Sequence, residues 1–125
     1  MQYVRIQNLS RSLVQPITAE YCNTFGCRLR GLMFRRSLDG DRALVMIYPS
    51  ESRYDTAIHM LFMEFDLGVV WVNQTGVVVD RRLARRWRPA YIPLKPACYV
   101  VEMNVERLSD FQIGDKVRFE PLELV

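Results

Sequence analysis

Lysine and histidine are almost missing from this chain. Among its 125 residues only Lys95 and Lys116 are lysines and only His59 is a histidine, so the 17 basic side chains, set against 14 acidic ones, are nearly all arginine. A net charge of +3 is too small a surplus to point to nucleic acid. Arginine's planar fork suits carboxylates, phosphates and stacked rings, and composition bias of the source genome explains the excess equally well. The three cysteines, Cys22, Cys27 and Cys98, include no close pair of the kind that opens a zinc site, so no metal is expected. They read as free thiols packing as small hydrophobes, with a Cys22–Cys27 disulfide conceivable only outside a reducing compartment. No run of 18 apolar residues is present, which excludes a helical membrane span, and the first 20 residues carry no apolar run of signal-peptide length. A cytoplasmic address is the simplest expectation. No glycine pattern resembles a phosphate loop, so no cofactor is expected, and no repeat or linker divides the chain.

What is present is ordinary globular material, half hydrophobic and a quarter charged, long enough for one domain over residues 1–125 with a real core. Tyr3 to Asn8 alternates as a half-buried strand, and Val14 to Thr18, holding Pro16, reads as an edge strand. From Asn23 the period changes. Phe25, Leu29, Leu32 and Met33 fall on one helical stripe, which predicts a helix over about 23–35 with Asn23 as its cap. Gly26 and Gly31 inside it each cost about 1 kcal/mol relative to alanine, and Gly31 suggests close approach to a strand. Ala43 to Tyr48, Gly68 to Val72, Val77 to Leu83, Cys98 to Met103 and Lys116 to Glu120 read as strands, with Ala57 to Met63 as a further candidate. The expected fold is therefore mostly β: a single compact antiparallel β-sandwich or partly open barrel with one helix in its N-terminal half.

Six pieces of the chain, RGLMFRRSL at 30–38, IHMLFMEF at 58–65, VVWVNQTGVVV at 69–79, the tryptophan of LARRWRPA, YVVEMN at 99–104 and IGDKVRF at 113–119, follow in the order of a bacterial and archaeal family known only as domain of unknown function 192. From about Cys27 to Phe119 the chain resembles that family. The resemblance implies a compact, mostly β domain with one helix near its start, and it implies no activity. Members commonly carry an acid shortly after the methionine-rich stretch. Here that place is Gly68, with Asp66 two residues earlier, so Asp66 either substitutes through a shifted loop or the site is lost.

One constellation can do more than pack. His59 sits among Met60, Met63, Leu61 and Phe62, and Trp87 stands among Arg81, Arg82, Arg85, Arg86 and Arg88. An imidazole can bind an anion, exchange a proton near neutral pH, or donate to a backbone carbonyl in the core. Trp87 either covers one end of the core or offers a face for stacking and cation–π contact. The remaining methionines read as core filler. Glu102, inside an apolar strand, requires a partner, and Arg28, Arg30 or Arg35 is the expected one. Three readings follow. In the first, a small polar or anionic ligand binds near His59 and Trp87, with Arg35, Asp66, Arg85, Arg88 and Glu102 as further contacts. In the second, a protein partner or a second copy docks on a sheet edge or on the Arg-Trp surface. In the third, His59 works as acid or base with Asp66 or Glu102. The sequence supplies no nucleophile motif for a triad, and five clustered arginines with one tryptophan do not make a nucleic acid surface.

Overall fold

The computed structural model describes residues 2–122; residues 1 and 123–125 of the expected 1–125 domain lie outside the described residues. Seven strands make one mixed sheet: β1 (Tyr3–Asn8), β2 (Ile17–Cys22), β3 (Arg42–Ser52), β4 (Leu67–Val72), β5 (Val78–Ala84), β6 (Ala97–Met103) and β7 (Val117–Pro121). Their spatial order is β5-β4-β6-β3-β2-β1-β7. All neighbours run antiparallel except β2 and β3, which pair in parallel from Thr18↔Arg42 to Cys22↔Met46. A parallel pair needs a crossover connection. Residues 23–41, carrying the helix α1 (Phe25–Arg30), supply it, and this one pair is the departure from a purely antiparallel sheet.

The helix is shorter than its apolar stripe predicts. Thr24, not Asn23, caps it by accepting from the Cys27 N–H, and Gly31 ends it at φ 50°. That left-handed conformation suits glycine and stops the helical path. The candidate strand Ala57 to Met63 is irregular instead. Only Ile58 pairs, in an isolated bridge with Tyr91. Residues 59–60 are already outside any strand, and Phe62 turns the chain at φ 60°.

Strand alternation sorts the core into two sets. Val45, Val70 and Val101 pack on one side of the sheet with Val4, Ile6, Ile17 and Phe111. Met46, Val69, Trp71 and Val100 pack on the other with Leu32, Met60 and Met63. The first set fills the interior that forms where the sheet curls. Its outer strands approach at the Val77–Lys116 bridge, where the Val78 N–H donates to Asp115 O at 2.9 Å and the Val117 N–H donates to Gly76 O at 2.8 Å. The result is a barrel-like body whose edges meet only along this short seam. Asp115 fastens the seam to β1, accepting from Asn8 at 2.9 Å and from Arg11 at 2.7 Å, and the Arg11 hydrogen bond is the main reason its carboxyl is held down at about 2. The second set lies under the segments 31–41, 53–65 and 85–96, and the candidate site belongs to it. Trp71 is its largest member, fully buried, with its indole N–H donating to Thr56 O at 2.8 Å.

Candidate functional site: a cleft over Glu102

Glu102 is the next-to-last residue of β6, paired with Leu44 on one side and Val69 on the other. Position parity puts it on the same face as Val100, under the end of α1. It is buried, and its Oε1 has no hydrogen-bond partner. Burial pushes its carboxyl up to about 7, against the opposing pull of the Arg35 guanidinium. A Cβ at Gly31 would stand 3.3 Å from that oxygen. The glycine therefore serves twice, ending the helix and keeping a side chain from crowding the carboxyl.

None of the expected arginine partners closes on Glu102. Arg35 instead reaches Glu20 on β2 at 2.9 Å, because the turn at Gly31 carries it past the carboxyl toward that strand. Arg28 donates to the carbonyls of Asn23 and Ile47, each at 3.0 Å, and lies 4.9 Å above the Tyr48 ring. Among the described residues, Arg30 makes no ion pair.

Above Glu102 opens a cleft of about 330 Å³. Its apolar walls include Phe25 and Leu29 of α1, Met46 of β3, and Met63; Arg28, Tyr48, Asp55 and His59 add polar groups. His59 is half-buried, its Nδ1 accepting from the Leu61 N–H and its Nε2 bonded to Leu29 O, both at 3.2 Å. An Nδ1 that accepts carries no proton, so the Nε2 donates and the ring is the neutral tautomer. His59 thus ties the 57–65 loop to α1 across the cleft. Burial also raises the Tyr48 phenol, keeping it a neutral hydroxyl.

Trp87 is not part of this cleft, and it does not cover the core. It is 56% exposed, and Trp71 takes the buried role. Its backbone N–H donates to Met60 O at 2.7 Å, so Trp87 is tied to the same loop as His59 while its indole faces other surroundings. It packs edge-on to Phe62, which in turn packs on Phe34, with 5.3 Å between centroids in each pair. Arg85 and Arg88 are exposed beside Trp87 in the chain, and Asp66 pairs with Arg86 there. The structure therefore splits the expected site: His59 and Glu102 stay together, while Trp87, Arg85, Arg88 and Asp66 belong to a separate surface and Arg35 to the edge of β2. Sequence reading passed over Tyr48 and Asp55, whose signal was only position, and named Arg28 only as a partner for Glu102; Gly31 was the one local pointer.

The cysteines differ from expectation as well. Cys22, at the end of β2, and Cys27, in α1, form a disulfide, and only Cys98 is free and buried. An oxidised pair is at odds with the free-thiol packing expected of a reducing cytoplasm. No helix of the described residues is long and apolar enough to cross a membrane, and no group of three or more metal-binding side chains is gathered among them.

Fold and cleft together define a small, seven-stranded, barrel-like protein with a side pocket. The chain belongs to the DUF192 family, described as "Uncharacterized ACR", whose model matches residues 6–119. It is 37% identical over 103 residues to UPF0127 protein TK1120 of Thermococcus kodakarensis, covering 81% of this chain and 64% of that one. It is 33% identical over 116 residues to UPF0127 protein PYRAB11210 of Pyrococcus abyssi, covering 91% of this chain and 96% of that one. This chain thus spans just under two thirds of the length of the Thermococcus relative. Two solved structures share the fold at 21% identity: a candidate transcription regulator from Sinorhizobium meliloti 1021, with TM-score 0.80 over 94% of this chain and 92% of that one, and a protein of unknown function from Novosphingobium aromaticivorans DSM 12444, with TM-score 0.76 over 93% of this chain and 83% of that one.

Proposed function

We propose that the chain is a small-molecule binding domain whose cleft takes a compact, largely apolar molecule carrying a hydrogen-bond-donating head, an amine or a hydroxyl, seated on Glu102. The observation that carries this reading is the buried Oε1 without a partner, on a residue that lines the floor of a cleft with apolar walls. An orphaned buried acceptor costs about 1–3 kcal/mol, and a donor entering the cleft recovers that cost. The walls supply the nonpolar contact on which ligand pockets rely, and a few polar groups orient the guest. An anion is served less well. The Arg28 guanidinium already donates to two carbonyls, and an ionised Glu102 repels negative charge.

Binding is favoured over acid–base catalysis by His59. His59 and Glu102 share the cleft, but no Ser, Thr or Cys lines it, and the imidazole nitrogens are both engaged by backbone groups. A thermal-shift series tests the reading with phenethylamine and benzyl alcohol against phenylpropionate. The amine and alcohol raise Tm in proportion to the logarithm of concentration, as mass action requires, and Glu102→Leu abolishes the shift. Equal stabilisation by the carboxylate, or a shift that survives Glu102→Leu, overturns it.

A further inference from the structure

Three residues other than glycine adopt positive φ among the described residues, and all three are aromatic: Phe34 at 68°, Phe62 at 60° and Trp87 at 67°. They come from three separate segments of the chain and meet in one cluster. Each is largely open to solvent, at 68%, 48% and 56% exposure. A bulky side chain in the left-handed region is strained, and such strain persists where surrounding structure enforces it, commonly at ligand clamps. Here the enforcement is visible. The Phe34 N–H donates to Phe62 O at 3.2 Å, the Trp87 N–H to Met60 O at 2.7 Å, and the Met60 N–H to Arg88 O at 2.8 Å. Three loops are laced together so that three rings stand outward.

We propose that this cluster is a docking surface for a protein partner whose contacting segment places one large apolar side chain among flanking Asp and Glu residues. The charge of the surface selects that chemistry. Arg36 stands two residues after Phe34, and Arg85, Arg86 and Arg88 bracket Trp87; Asp66 pairs with Arg86, while among the described residues Arg36, Arg85 and Arg88 have no ion-pair partner. Two copies of this face would bring like charges together, which disfavours a homodimer through it. Fixed backbone presentation favours a partner of defined shape over a fluid bilayer, which needs no such register. Stacked nucleobases fit poorly, because Phe62 already contacts a ring on either side. Trp and Arg together are the residue types that dominate protein interfaces energetically. The surface is separate from the Glu102 cleft, so failure of either proposal leaves the other standing.

The test selects a phage-displayed random dodecapeptide library on the whole chain and measures synthetic copies of the enriched peptides by quenching of Trp87 fluorescence and by calorimetry. Enriched peptides carry Phe, Trp or Leu flanked by Asp and Glu. Their affinity falls at least tenfold in Trp87→Gly and in Arg85→Glu/Arg88→Glu, and weakens with added salt. Glycine accepts φ 67° without strain, so Trp87→Gly keeps its fold by circular dichroism. Binders lacking acidic residues, or binders indifferent to both variants, overturn the proposal. So does failure to select binders, and so does Trp87-dependent sedimentation with phosphatidylserine vesicles by a chain that binds no selected peptide, which would assign the surface to lipid.

Discussion

At the scale of single residues, Glu102 sets the pH response of the molecule. The carboxyl titrates near 4.5 in the unfolded chain and about 7 in the folded one. Between those values the unfolded chain releases a proton that the folded chain keeps, so stability falls as pH rises through the window and levels off above it. At about 1.4 kcal/mol per unit the loss is about 3 kcal/mol. Glu102→Gln removes the titration while keeping the size of the side chain. It should therefore raise Tm at pH 8 by several degrees and change it little at pH 4.5, read by calorimetry across that range; parallel profiles for the two proteins would show that the carboxyl is not held protonated. A lone acid in the apolar run of β6 is visible in the sequence as an anomaly. Its lack of a partner is not, because that depends on a turn at Gly31 which redirects Arg35 to Glu20. Gly68 teaches the converse. A Cβ there would sit 3.1 Å from Leu108 and 3.2 Å from Met103, so the place where the resemblance implies an acid is tightly packed in this chain.

At the scale of elements, α1 shows why periodicity overreached. Phe25, Leu29, Leu32 and Met33 fall on one stripe, and such a stripe ordinarily faces a core. Yet only Leu32 is buried, while Phe25 and Leu29 stay exposed at the mouth of the cleft. Apolar spacing reports that a face is apolar, not what covers it. Strands β1, β4, β5, β6 and β7 were legible nearly to their ends because alternation and β-branched runs act locally, whereas β3 runs four residues beyond the expected Tyr48 and β2 was shifted by treating Pro16 as its centre. A six-residue helix has little intrinsic stability, and the Cys22–Cys27 bridge fixes α1 to β2 beside the Arg28 hydrogen bond to Ile47 O of β3. In the chain-entropy picture a loop this short yields about 2 kcal/mol. Reduction, or Cys22→Ser/Cys27→Ser, should lower Tm by a few degrees and open residues 23–36 to protease before the rest of the chain. A thiol assay on the denatured, unreduced protein should count one free thiol; three would mean that the helix is held by packing alone.

At the scale of the whole molecule, the body depends on how its two outer strands are held together. An open sheet leaves unpaired edges, and here β5 and β7 meet only where Gly76 lets the chain turn. Gly76 has φ 87°, and a Cβ on it would lie 2.8 Å from Val117 O. Backbone on β7 cannot retreat without breaking the bond from the Val117 N–H to Gly76 O. Gly76→Val should therefore destabilise by more than about 1–3 kcal/mol, the cost of a strained conformation alone. The effect should also be local, since the seam opens before the central β3, β6 and β4 do. Amide exchange at Val78, Gly114 and Val117 should accelerate while exchange at Val70 and Val101 stays slow. Gly26→Ala is the matched control: nothing lies within 4 Å of the added methyl, and alanine in a helix is favoured by about 0.5–1 kcal/mol. If Gly76→Val unfolds the chain without selective exchange at the seam, the edges are not a separable closure and the barrel stands or falls as one cooperative unit.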